Sequence, residues 1–225
     1  MASTRPPAAS AVPNPDPNAH PDPTTPQTGA ALHRVGPVRT ACWPYQRGEA
    51  AAPRVTGWLE AAPDLPPGAL PIRRDARGRP HLGCPGADVN WSHSGEALLA
   101  AWAPVDRVGV DIELLRPRPR TLALATRFFA PEETAALAAL AADPERLEHA
   151  FTRLWCAKEA LLKADGRGLS FGLEKLHFAL DPEAPGDAAP RLMRCDPALG
   201  RAEDWRIAAW TPRPGYLATL AWHTG

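Results

Sequence analysis

The chain has 225 residues, 44% of them hydrophobic, and its 25 Lys+Arg balance 25 Asp+Glu. That length suits one large domain or two small ones sharing an interface. Neutrality excludes a global field drawing the protein onto nucleic acid or a membrane, so any anion site has to be built locally.

Residues 1–29 are rich in Pro, Ala, Asn, Asp and Thr, with Pro recurring from Pro6 to Pro26. Few large apolar residues are available for burial there, so this segment is expected to be a disordered tail. It lacks the apolar stretch of a signal peptide and repeats no P-x-x-P pattern. No apolar run approaches the roughly 20 residues a membrane span needs. Together these predict a cytoplasmic protein. Cys42, Cys84, Cys156 and Cys195 are widely spaced, without a C-x-x-C pair, and read as free thiols rather than a disulfide framework or a zinc site.

Residues 30–107 form a first mixed segment, an N-terminal lobe. Val55 to Ala62 predicts a short helix stopped by Pro63, Pro66 and Pro67. Pro71 to Arg74 reads as a polar strand or loop, and Asp75 to Pro80 as a turn. Asp88 to His93 approaches a strand, with Ala97 to Ala103 as its hairpin partner. Residues 108–225 form a C-terminal lobe. Val108, Val110 and Ile112 alternate with Gly109, Asp111 and Glu113, which is strand period. Pro131-Glu132-Glu133 opens a helix through Leu140, with acids at its positive end. A longer helix is expected from about Leu147 to Ala164, ended by Gly166 and Gly168. Strands follow at Leu176 to Leu180, Trp205 to Trp210 and Tyr216 to Trp222. Helix and strand mix in both halves, which predicts the α+β class.

Three features carry chemistry. On a strand, residues i and i+2 share a face about 6.5 Å apart. Asp111 and Glu113 therefore point the same way, with Gly109 beside them leaving room for a ligand. Two carboxylates on one rigid edge suit Mg²⁺, which completes its octahedron with water and phosphate; two ordinary charges on a solvated edge give the same pattern. On the long helix, Phe151, Leu154, Trp155, Leu161 and Leu162 form one apolar face. Glu159 and Lys163 (i, i+4) lie on a flank with Thr152 and Cys156, as in a solvated salt-bridged flank. Lys158 projects into the apolar stripe, and either snorkels or reaches a sheltered cleft. In Asn90-Trp-Ser-His-Ser-Gly95, strand parity places Ser92 and Ser94 opposite His93. A nucleophilic Ser would need a G-x-S-x-G elbow, which is absent; a His beside hydroxyls and Gly also suits a phosphate.

Taken together, the segments NWSHSG (90–95), VGVDIE (108–113), FFAPEE (128–133) and LWCAKEALLKADGRGLS (154–170), with GRP (78–80) upstream, resemble the surfactin-type 4′-phosphopantetheinyl transferases of the holo-carrier-protein synthase superfamily. The resemblance covers roughly residues 70–180, in the branch serving polyketide and nonribosomal peptide systems. It implies a pseudo-dimer of two similar α/β lobes, monomeric as a chain, with coenzyme A between them. It implies that Asp111, Glu113 and Glu159 hold Mg²⁺ with the CoA pyrophosphate. His93 and Arg74 would meet the 3′-phosphate, Lys163 the pyrophosphate, and Arg79 with Pro80 the adenine; Ser92 and Lys158 are further CoA-binding candidates. The basic helix that often serves the phosphates in this family is thin here, leaving Arg47 and Arg54. The implied reaction moves phosphopantetheine from CoA to a serine of an acyl or peptidyl carrier protein and releases adenosine 3′,5′-bisphosphate. Glu159, Lys163 and Asp111 are its expected catalytic residues. A metal-dependent phosphohydrolase and an inactive CoA- or carrier-binding protein are the competing classes; neither nucleic acid nor a membrane is expected as a partner.

Overall fold

The computed structural model describes residues 29–181 and 186–224. The tail expected over 1–29 lies almost wholly outside them. The architecture is α+β. A four-stranded antiparallel sheet has the order β1 (Ala31–Val35), β2 (Val38–Pro44), β6 (Ala97–Ala103), β5 (Asp88–Ser94), and a three-stranded one the order β10 (Trp205–Trp210), β11 (Tyr216–His223), β7 (Val108–Leu114). Helix α1 (Ala51–Glu60) covers the outer face of the first sheet through Val55 and Leu59, over Trp43, Val89 and Trp102. The inner faces share one core, in which Val38, Cys42, Leu99 and Ala101 meet Val110, Ile112, Leu220 and Trp222. Short pairs, β3 (Arg73–Arg74) with β4 (Pro80–His81) and β8 (Leu176–Ala179) with β9 (Arg191–Cys195), complete the strands.

Helix α4 (Pro144–Asp165) organises the second half. Asp143 caps it by accepting from Arg146 N, and Gly166 ends it in the left-handed conformation at φ 88°. Its apolar face packs on α2 (Thr121–Phe128), α3 (Pro131–Ala138) and β8. Its opposite flank lies directly on β7. A Cβ built at Gly109 would stand 2.0 Å from Ala160 O and 2.4 Å from Ala164 N. This corrects the sequence expectation: the space at Gly109 admits the backbone of α4, not a ligand.

Where the two sheets meet, the edge strands β5 and β7 run in the same direction and are joined through side chains. Asp88 Oδ2 accepts from Val108 N at 2.7 Å, Asn90 Oδ1 from Val110 N at 3.2 Å, and Ser94 Oγ from Leu114 N at 3.2 Å. Alternate β5 side chains thus satisfy β7 amides that no strand pairs with, as buried backbone donors require.

Candidate active site

The site lies at the far end of this seam. The period-2 geometry of both strands puts Ser92 and Ser94 opposite Asp111 and Glu113. Ser92 donates to Asp111 Oδ1 at 2.8 Å and Ser94 to Glu113 Oε2 at 3.0 Å. Lys163, from the last turn of α4, donates to the same Asp111 Oδ1 and to Ser92 Oγ, each at 2.7 Å. Asp111 is only 3% exposed, so it is no ordinary solvated edge charge. Its second oxygen, Oδ2, is buried without a hydrogen-bond partner. Glu113 has a second cationic neighbour, Arg118, whose Nη2 lies 3.3 Å from Oε2.

The charges are mutually adjusted. Burial, then the Asp111 charge and more weakly that of Glu113, pushes the Glu159 carboxyl up to about 7, against the pull of Lys163. Burial and Asp111 also raise Glu113, with Ser94, Arg118 and Lys163 opposing. Burial alone would lower Lys163, but Asp111, bonded to it, and Glu159 outweigh burial and hold its ammonium above the ordinary value. Beneath them Cys156 is fully enclosed, and burial, with Asp111 and Glu113 nearby, drives its thiol far above the usual range. It is not a reactive cysteine.

Among the described residues, no three Asp, Glu, His or Cys side chains are gathered closely enough to hold a metal ion as they stand. The residues nevertheless fit a divalent cation. Mg²⁺ takes one or two carboxylates and completes its shell with water and phosphate oxygens. An orphaned Asp111 oxygen, a Glu113 carboxylate bonded through Oε2 and a Glu159 carboxyl raised by burial and then by its acidic neighbours together form a site that a cation would suit.

Four of the expected CoA contacts are drawn into the interior of the protein. Lys158 neither snorkels nor reaches a cleft: it is 0% exposed, with Nζ 2.7 Å from Glu133 Oε2 and donating to Leu173 O at 2.8 Å and Leu176 O at 2.5 Å. All three ammonium protons are therefore taken, below the Phe129 ring at 4.9 Å. It is a core ion pair, not a CoA ligand. Ser92 is buried and its hydroxyl bridges Lys163 and Asp111, so it is neither nucleophile nor free CoA contact. The Arg79 guanidinium is spent inside the protein. It pairs with both Asp88 oxygens at 3.0 and 2.5 Å and donates to Lys163 O at 2.8 Å and Ala164 O at 3.1 Å. It caps α4, and Pro80 beside it is buried.

His93 and Arg74 do lie exposed, as a phosphate contact requires. Both lie at the outer face of β5: His93, on that strand, stacks on Tyr45 at 4.7 Å, and Arg74, from β3, lies 5.1 Å over Trp91. Arg54 reaches the backbone of the same corner through Pro44 O. Sequence reasoning missed Arg118, Glu148 and the bracing role of Ser94. Arg118 sits in an Arg-Pro alternation (116–120) that looks like a linker, and nothing local marks it as facing the acids. The i, i+2 serines of 90–95, set beside the i, i+2 acids of 111–113, were the available signal for Ser94.

Residues 107–220, just over half of the chain, match the sequence model of the 4′-phosphopantetheinyl transferase superfamily. The chain belongs to this superfamily. It is 38% identical over 159 residues to the 4′-phosphopantetheinyl transferase HetI of Nostoc sp., covering 69% of this chain and 61% of that protein. Against the 4′-phosphopantetheinyl transferase psf-1 of Bacillus pumilus it is 35% identical over 129 residues, 57% and 52% of the two chains. Against the 4′-phosphopantetheinyl transferase Sfp of Bacillus subtilis it is 36% identical over 96 residues, 43% and 41%. The chain thus spans between 41% and 61% of the length of these relatives.

Proposed function

We propose that this protein transfers the 4′-phosphopantetheine group of coenzyme A to a serine of an acyl or peptidyl carrier protein, with Mg²⁺, releasing adenosine 3′,5′-bisphosphate. The observation that carries the proposal is the juxtaposition of Asp111, Glu113, Glu159 and Lys163 at the seam of two sheets, inside the family match. We read the two halves as a pseudo-dimer with CoA lying across the seam. Support comes from each half pairing an antiparallel sheet with a helix, α1 on one and α4 on the other.

Phosphoryl transfer of this kind needs positioning and charge neutralisation more than covalent help from the enzyme. Asp111, Glu113 and Glu159 would hold the cation, which when bound supplies neutralisation for the pyrophosphate. Lys163, braced between Ser92 and Asp111, offers a fixed cation to the charge that develops on the leaving phosphate. Exposed His93 and Arg74 would take the 3′-phosphate on the outer face of β5. Glu159 would accept the proton of the carrier serine, directly or through water. The phosphorus–oxygen bond to the serine forms as the bond to the departing bisphosphate breaks.

The test is direct. Incubation with CoA, Mg²⁺ and an apo carrier domain should add one phosphopantetheine mass to the carrier. Cleavage of CoA without carrier modification would mark a phosphohydrolase, and binding without either change an inactive binder; both overturn the proposal.

A further inference from the structure

The two strand acids are braced in the same way. Each receives a serine from β5 and a cation on one oxygen: Ser92 and Lys163 on Asp111 Oδ1, Ser94 and Arg118 on Glu113 Oε2. Lys163 already has a role in the proposed reaction; Arg118 has none. Its guanidinium is a fork. One branch lies on Glu113, and the other, Nη1, pairs with Glu148 Oε1 and donates to Thr152 Oγ1 at 2.9 Å. The plane also faces the Phe151 ring at 5.7 Å.

Glu148 is buried and fixes the fork in turn. Its Oε2 accepts from Arg118 N at 3.1 Å, and Thr121 Oγ1 stands 2.9 Å from both that carboxylate and Arg118 O, with one proton to give to either. The segment 115–120 is therefore bolted to α4 at one point, and that bolt ends on Glu113. Glu113 needs it. It is the next-to-last residue of β7, and the Asp111 charge repels it.

We propose that Arg118 is the positioning residue of Glu113, orienting its carboxylate toward a divalent cation while tying it to α4 through Glu148. Groups that orient ligands from behind typically change metal affinity or activity by roughly 10- to 100-fold when removed. The inference rests on the reading of the acidic cluster as a cation site, and its test needs neither CoA nor carrier.

The probe is Mn²⁺ alone, titrated into the full chain and followed by its EPR signal. Arg118→Met should weaken Mn²⁺ binding roughly 10- to 100-fold. Arg118→Lys keeps the charge but has no fork to span Glu113 and Glu148, so it should stay impaired. Arg118→Met leaves Glu148 buried and unpaired, so the double variant Arg118→Met/Glu148→Met removes both charges and keeps the fold testable. It too should lose Mn²⁺ affinity. Affinity within twofold of the unaltered chain in the folded double variant would overturn the proposal, as would full rescue by Arg118→Lys, which would mean charge alone matters. If the unaltered chain binds Mn²⁺ and Arg118 controls it, yet no carrier gains mass, the positioning role stands and the transferase reading falls.

Discussion

At the scale of single residues, two lysines on one helix have opposite fates. Lys163 faces the acids and Lys158 the core, five positions and so about 500° of helix rotation apart at roughly 100° per residue. Lys158→Met is not a harmless removal of a buried charge. Glu133, also fully buried, would keep its charge with only Ala130 N and Phe178 N to serve it. Removing one member of a buried pair costs about 3–5 kcal/mol. Lys158→Met should therefore melt well below the unaltered protein while its folded fraction turns over near normally. Lys163→Met strands a buried partner too, Asp111, so it should lower the melting temperature in metal-free buffer, but unlike Lys158→Met it should also lose most of the single-turnover rate. Glu159 gives a pH signature. Its carboxyl holds a proton up to about 7 in the folded chain against an ordinary value of 4.5, so between these values the folded state binds the extra proton. Stability then falls as pH rises through that window. In metal-free buffer the melting temperature should drop from pH 5 to pH 7, and Glu159→Gln should flatten the slope. A slope unchanged in Glu159→Gln would place the titration elsewhere.

At the scale of elements, the contact of α4 with β7 decides the site. Gly109 has no Cβ, so the helix backbone sits where one would be. Gly109→Ala forces backbone against backbone, and overpacking of this sort costs typically 1–3 kcal/mol, occasionally more. We expect a lower melting temperature together with a lower rate, because Glu159 and Lys163 ride on the displaced helix. Loss of rate with unchanged melting would mean the glycine serves a ligand after all. This contact was half legible. The alternation of Val108 to Glu113 and the stripe of Phe151 to Leu162 identified both elements, and the hairpin of β5 and β6 and the strands β10 and β11 were also readable. What escaped had no pattern to show. Strand β2 is covered on both faces and does not alternate, β1 and β9 are largely exposed edge pieces, and α2 follows Arg120, an N-cap residue whose side chain makes no capping bond. In the site, the acids and α4 polar flank were legible because strand and helix periods align them. The braces were not, because Ser94, Arg118 and Glu148 meet only through the tertiary fold.

At the scale of the whole molecule, Arg79 joins parts distant in sequence. One guanidinium touches Asp88 of β5, Val108 O of β7 and the last carbonyls of α4. Arg79→Met should lower the melting temperature strongly, since it abandons a buried Asp88, a loss of about 3–5 kcal/mol. Adding Asp88→Asn should recover part of it. Unchanged melting with weakened CoA binding would return Arg79 to a nucleotide contact. The β5–β7 seam has a further consequence, for how such a chain can change its length over time. The side-chain bonds of β5 meet β7 at a constant offset, 88 to 108, 90 to 110 and 94 to 114. One residue inserted within β5 turns every downstream side chain to the opposite face. Ser94 would then face α1, and His93 would stand before the acids. Insertions and deletions between 88 and 114 should therefore be tolerated only in the 104–107 loop or the 95–96 turn, where length changes without altering parity. That stretch is in effect a ruler, graduated along its strands and free to change length only at the two connections between them.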